Sequence, residues 1–129
     1  MFRFTLPRDI YAGYGAIEKL AVLKGHKRAF ICTGGHSMRR GGFLQKAEKV
    51  LKDNGMETRI MEGIAPDPSI EAVREGAKAM SEFQPDVIVA IGGGSPIDAA
   101  KAMWVFYEHP ELSFDDVKKP FSLPPLRQK

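Results

Sequence analysis

The feature that most constrains the fold is a short apolar run that leads directly into three glycines. Residues Val87–Ile91 read Val-Ile-Val-Ala-Ile, a largely β-branched run typical of parallel strands that are covered on both faces. Glycines occupy positions 92–94, and residues 97–107 then carry a helical pattern. We therefore predict a central strand of a parallel sheet, a glycine turn and a helix.

Strand and helix patterns alternate along the rest of the chain. Four further segments are predicted strands: residues 2–6, 10–12, 27–33 and 56–61. Three segments are predicted helices: residues 16–23, residues 43–51, and a helix that Ser69 is placed to cap. This alternation predicts an α/β fold, a Rossmann-like parallel sheet with flanking helices and right-handed crossovers.

The bulk composition indicates a soluble globular domain or part of one. The chain has 129 residues, of which 43% are hydrophobic and 27% charged, unlike disordered chains. Its longest apolar run is far shorter than the roughly 20 residues of a membrane helix, and no signal-peptide pattern opens it. We expect a cytoplasmic protein without a membrane partner.

Charge and cysteine content argue against a nucleic-acid-binding protein and against a fold held by disulfides. The net charge is +3, but most basic residues alternate with acids along predicted helices, as on a solvated surface, so no nucleic-acid partner is expected. The single cysteine, Cys32, lies in an apolar segment. A buried thiol is expected there, and no internal disulfide can form.

The glycine loop has the chemistry of an anion site. Glycines between a buried strand and a helix let the backbone approach a ligand closely and direct free N–H groups at it. The helix dipole favours negative charge at the same place. A tight turn alone would need only one glycine, so three indicate a phosphate site.

Residues 87–101 also resemble the signature of the iron-dependent (group III) alcohol dehydrogenases, a Gly-Gly-Gly-Ser loop followed by an Asp and an Ala-Lys. The resemblance implies that Gly92, Gly93, Gly94 and Ser95 hold the cofactor pyrophosphate, and that Asp98 reaches towards the nicotinamide carboxamide. It extends over residues 1 to about 125, with support from residues 13–15 and 66–69. It further implies a dehydroquinate-synthase-like nucleotide-binding domain.

The loop after residue 33 bears on the choice of cofactor. Dinucleotide folds often place an acid just after the second strand to bind the ribose 2′-hydroxyl, and this chain has Gly34 there. Family members with a Gly-Gly-x-Ser pattern and basic residues resemble NADP users, and Gly34, Gly35, Ser37, Arg39 and Arg40 fit that pattern. We expect NADP to be preferred, with NAD as the alternative.

The resemblance also implies components that this sequence lacks. In the family, an aspartate and three histidines of a C-terminal helical domain hold divalent iron or zinc, which polarises the substrate oxygen. Here His26, His36 and His109 are far apart in sequence and are expected at the surface. We therefore expect residues 1–129 to be an incomplete NAD(P)-binding domain with no catalytic or metal-binding residues, inactive in isolation.

The expected function of the parent protein is hydride transfer between NADP(H) and a small alcohol or aldehyde, by a homo-oligomer. Two alternatives stay open at this stage. One is a domain of glycerol-dehydrogenase or dehydroquinate-synthase type, although Ser95 followed by Pro96 and Ile97 favours the alcohol dehydrogenases. The other is a non-catalytic nucleotide-binding or interaction module.

Overall fold

The computed structural model describes residues 9–65 and 68–111; for Ser95 it describes the backbone alone. A 3-10 helix over Ala16–Leu23 precedes the sheet. The remaining elements, in chain order, are β1 (Arg28–Gly34), α1 (Ser37–Arg40), α2 (Phe43–Asp53), β2 (Glu57–Ile64), α3 (Ile70–Phe83), β3 (Val87–Ile91) and α4 (Gly94–Glu108). No helix in these ranges is long and apolar enough to cross a membrane.

The three strands form one parallel sheet in the order β2-β1-β3. The predicted α/β architecture is thus confirmed, but the central position predicted for residues 87–91 is wrong within the described sheet, where β1 is central. β3 is apolar because helices cover both faces of the sheet, although only one of its edges is paired with another described strand. Residues 10–12, predicted as a strand, form none, and residues 2–6 lie outside the described ranges.

Helices cover both faces of the sheet because successive side chains of β1 point to opposite sides. Phe30 and Cys32 pack with α3 and α4 on one face, whereas Ala29 and Ile31 pack with α2 on the other. All four side chains are fully buried. Burial raises the pKa of the Cys32 thiol to about 12, so the expected buried thiol is confirmed.

Two sets of hydrogen bonds from backbone N–H groups to side chains stabilise the start of α3 and the start of the sheet. The Ser69 hydroxyl accepts a hydrogen bond from the N–H of Ala72 at 3.1 Å, which confirms the predicted cap of α3. At the start of β1, the Asp86 carboxylate accepts hydrogen bonds from the backbone N–H groups of Lys27, at 2.9 Å, and Arg28, at 3.0 Å. Asp86 therefore ties the beginning of β3 to the beginning of β1.

Close packing of α3 on α4 fixes the helix that follows the glycine loop. A Cβ atom at Gly76 of α3 would lie 2.8 Å from Cγ of Met103 on α4, and Met103 is fully buried. A side chain at this position would force the buried Met103 side chain to move. This contact packs α3 against α4, the helix that begins at Gly94.

Candidate nucleotide-binding edge of the sheet

The two glycine loops singled out from the sequence lie together at the carboxyl edge of the sheet. Because β1 and β3 are parallel, the loops that follow them leave the same edge. A Cβ atom at Gly34, the last residue of β1, would lie 3.7 Å from Cδ of Pro96 in the first turn of α4. Ligands of open α/β sheets bind outside this edge.

The three glycines after β3 differ in what the fold requires of them. Gly92 has φ +135°, and a Cβ atom there would lie 2.9 Å from Cγ of Pro96, so the turn itself needs a glycine. Gly93 and Gly94 have no such φ, and a Cβ atom at either would meet nothing within 4 Å. The fold leaves open space above these two residues.

That open space lies at the N-terminus of α4. Gly93 is the N-cap of α4 and provides no side-chain cap, and no acid occupies the first turn. The first N–H groups of a helix have no partner within the helix, and they carry the positive end of its dipole. Helix N-termini of this kind are common binding sites for anions. Ser95, the second residue of α4, adds a backbone N–H at the same end.

Asp98 lies on the exposed side of α4 and has no ion pair within residues 9–65 and 68–111. Its exposure leaves the carboxylate accessible to a ligand. The structure does not bring Asp98 into hydrogen-bond contact with another predicted site residue.

An apolar groove of about 430 Å³ opens beside Gly92, between the 3-10 helix and β3. Leu20 and Leu23 line one side, and Val89 and Ile91 line the other. The glycine loop thus has an apolar surface next to a site suited to an anion, a combination that small-molecule sites commonly show.

Gly34 has a packing role in addition to any role in cofactor choice. A Cβ atom at this position would lie 3.2 Å from the backbone oxygen of Ile64, which is paired with Gly34 across the sheet. That distance is tighter than ordinary van der Waals contact. Packing against Ile64 thus bears on the glycine at residue 34, so the absence of an acid there does not by itself select NADP. Gly35 follows as an exposed residue with open space above it.

The stretch after Gly35 was predicted as a loop, but it contains the short helix α1. Ser37 begins this helix and is exposed. Arg40 is exposed and has no ion pair with any described residue. Arg39, in contrast, points to a partner on the neighbouring strand.

That partner is Glu62 of β2. Nε of Arg39 donates to both carboxylate oxygens, at 2.9 and 3.0 Å, and Nη2 donates to Oε1. The hydrogen bond from Arg39 lowers the pKa of Glu62, and the hydrogen bond to Glu62 raises the pKa of Arg39. Nδ1 of His36 lies 3.6 Å from the same carboxylate. A carboxylate therefore stands among the residues predicted to receive a 2′-phosphate.

The sequence contained no clear signal for Glu62. The predicted strand ended at residue 61, whereas β2 continues to Ile64. The strand periodicity does not predict a partner 23 positions earlier in the chain.

The three histidines occupy separate places. His26 lies 3.6 Å from the Asp86 carboxylate at the opposite, N-terminal end of β1, and His36 is beside Glu62. His109, which follows the last turn of α4, is only 5% exposed, so its predicted surface position is wrong; its Nδ1 lies 3.3 Å from the Glu111 carboxylate. Within the described ranges, no three histidine, cysteine or acidic side chains are grouped as metal ligands would be.

Comparison with known proteins identifies the family. The model of the iron-containing alcohol dehydrogenases matches residues 7–127. The chain belongs to this family. Over all 129 residues it is 59% identical to an NADPH-dependent butanol dehydrogenase of Clostridium saccharobutylicum. The resemblance drawn from residues 87–101 is therefore confirmed.

Solved structures of the family show the same fold. An iron-containing alcohol dehydrogenase of Thermococcus thioreducens superposes with a TM-score of 0.81 and 40% identity over 90% of this chain. An NADH-dependent butanol dehydrogenase of Thermotoga maritima gives a TM-score of 0.73 and 28% identity over 81% of this chain. The chain spans only 33% of the Clostridium relative, 32% of the Thermococcus chain and 27% of the Thermotoga chain.

Proposed function

We propose that this chain holds the nicotinamide cofactor of an alcohol dehydrogenase or aldehyde reductase, with the pyrophosphate on residues 92–95. The observation that carries the proposal is the open space above Gly93 and Gly94 at an uncapped helix N-terminus. The fold does not need glycine at these two positions, whereas a pyrophosphate in contact with the backbone does. Asp98, one turn further and exposed, is proposed to reach the nicotinamide carboxamide.

The proposed cofactor is NADP. Two observations favour it: a relative 59% identical carries the name NADPH-dependent butanol dehydrogenase, and Arg40 is exposed beside Ser37 without an ion pair in the described ranges. Two observations favour NAD. The Thermotoga relative is named NADH-dependent, and the Arg39 guanidinium is already bound to Glu62. We assign Arg40 and Ser37 the main contacts with the 2′-phosphate.

In the whole protein, the proposed reaction is hydride transfer between NADP(H) and a small alcohol or aldehyde. A divalent iron or zinc ion, when bound, would supply Lewis-acid polarisation of the substrate oxygen. The described residues offer no ligand set for such an ion, so we assign it to other parts of the protein. By itself, the chain is expected to bind nucleotide and to turn over no alcohol.

The test is to replace Gly94 with valine and to titrate the chain with NADPH, following the fluorescence of the bound nicotinamide. A Cβ atom at Gly94 meets nothing in the protein, so the variant should fold. Its side chain would occupy the space assigned to the pyrophosphate, and we expect affinity to fall by about tenfold or more, the loss of one charge-assisted hydrogen bond.

Gln45→Val is the matched control. It introduces the same β-branched side chain at an exposed position in the first turn of α2. We expect this variant to bind NADPH as the unmodified chain does. Equal binding by a folded Gly94→Val variant would place the pyrophosphate elsewhere.

A further inference from the structure

We propose that Glu62 is a specificity-determining residue: it holds Arg39 in an ion pair and so limits the preference for NADP over NAD. The inference rests on the proposed function of this edge of the sheet. Glu62 bears on the choice of cofactor because its partner Arg39 is one of the residues predicted to contact the 2′-phosphate.

The geometry of the pair leaves the Arg39 guanidinium less available to bind a phosphate. Nε is shared between the two carboxylate oxygens, and Nη2 binds one of them, so one edge of the guanidinium is fully used. The Glu62 side chain is 24% exposed and that of Arg39 is 47% exposed, so the pair lies at the surface, within reach of a ligand. A phosphate can gain the same guanidinium edge only by displacing the carboxylate.

The cost of this exchange differs between the two cofactors. The 2′-phosphate of NADP would bring its negative charge close to the Glu62 carboxylate, and like charges at short range repel. The 2′-hydroxyl of NAD brings no charge and can donate a hydrogen bond to a carboxylate, as it does to the acid of dinucleotide folds. Glu62 thus acts in the way expected of the acid that residue 34 lacks.

A β-bulge places Glu62 at this position. Cys32 pairs with Met61 and Gly34 pairs with Ile64, so β2 has one residue more than β1 in this interval. Gly63 takes up the extra residue with φ +73°. Bulges redirect side chains and are common next to binding sites. The carboxylate therefore reaches Arg39 through a local feature of the backbone, independent of the ion pair itself.

The experiment titrates the full chain with NADPH and with NADH, comparing the unmodified chain with Glu62→Gln. The amide keeps the shape of the side chain and removes its charge. We expect NADPH to bind about tenfold more tightly, as Arg39 becomes available for a charge-assisted hydrogen bond, while NADH should bind no more tightly than before, because its 2′-hydroxyl loses a charged acceptor.

Glu57→Gln is the matched control, because it removes the same charge from the same strand. Glu57 lies at the other end of β2, 3.6 Å from Nη2 of Arg28. We expect its ratio of NADPH to NADH affinity to equal that of the unmodified chain. A shift as large as that of Glu62→Gln would show a general charge effect and overturn the proposal.

Arg39→Gln tests the route through the arginine. In the double variant Glu62→Gln/Arg39→Gln, the gain in NADPH affinity should disappear; a gain that persists would overturn the proposal, as would an unchanged ratio in Glu62→Gln alone. If the unmodified chain prefers NADH, the proposed NADP preference fails, yet a shift towards NADPH in Glu62→Gln would still support the role of Glu62. If neither the unmodified chain nor Glu62→Gln binds NADPH, both the proposed function and the proposed role of Glu62 are refuted.

Discussion

Replacing Gly92 with alanine should destabilise the fold, in contrast to replacing its neighbour. The φ of +135° lies in a region that L-residues rarely adopt, and holding a residue in such a region costs about 1–3 kcal/mol. The new methyl group would also lie 2.9 Å from Cγ of Pro96, a buried ring that cannot rotate away. Overpacking of this kind adds roughly 1 kcal/mol, for a total of about 2–4 kcal/mol.

Thermal unfolding followed by circular dichroism measures this cost. For a chain of this size, 1 kcal/mol shifts Tm by about 4 °C, so Gly92→Ala should melt roughly 8 °C or more below the unmodified chain. Gly93→Ala is the control, since its φ is −81° and a Cβ atom there meets nothing within 4 Å. Its Tm should change by less than about 2 °C. An equal loss of Tm in both variants would refute the distinction between Gly92, which the turn requires, and Gly93, which only the proposed ligand site requires.

Two further predictions concern the scaffold. Partial burial acts to raise the pKa of Asp86, but hydrogen bonds from the N–H groups of Lys27 and Arg28 outweigh it and lower the pKa. This stabilisation is present above the unfolded pKa near 3.9 and is lost as pH falls through the lower folded value. Urea unfolding should therefore show Asp86→Ala to be about 2 kcal/mol less stable at pH 7, with a difference that shrinks below about pH 4. In the same assay, Gly76→Ala should lower the free energy of unfolding by about 1 kcal/mol. The alanine gains roughly 1 kcal/mol in helix propensity, but its Cβ would lie 2.8 Å from Cγ of Met103, and we expect this crowding to cost more. A more stable variant would contradict this packing argument.

The unit formed by β3, the glycine loop and α4 could be predicted from the sequence because each part depends on local chemistry. An apolar β-branched run forms a strand, consecutive glycines form a turn, and the apolar spacing that follows forms a helix. The cap of α3 at Ser69 was predictable for the same reason, since a hydroxyl binds an N–H three residues away.

Features that depend on partners distant in sequence could not be predicted in this way. The order of the strands places β1 rather than β3 at the centre, and nothing in the run Val87–Ile91 distinguishes the two positions. The packing role of Gly34 appears only when Ile64 is placed opposite it. The same holds for Glu62, which reaches Arg39 because of a bulge that shifts the register of β2 by one residue.

The candidate site therefore divides into two parts whose variants should behave differently. In the proposed site, backbone N–H groups at the start of α4 would bind the pyrophosphate, which NADP and NAD have in common, so a side chain added at Gly94 should weaken both cofactors by the same factor. The Arg39–Glu62 pair is proposed to lie at the 2′-position, where the two cofactors differ, so substitution of either residue should change the ratio of the two affinities. Titrating each variant with both cofactors separates these outcomes, and a changed ratio in Gly94→Val would mean that the glycine loop also contacts the 2′-phosphate.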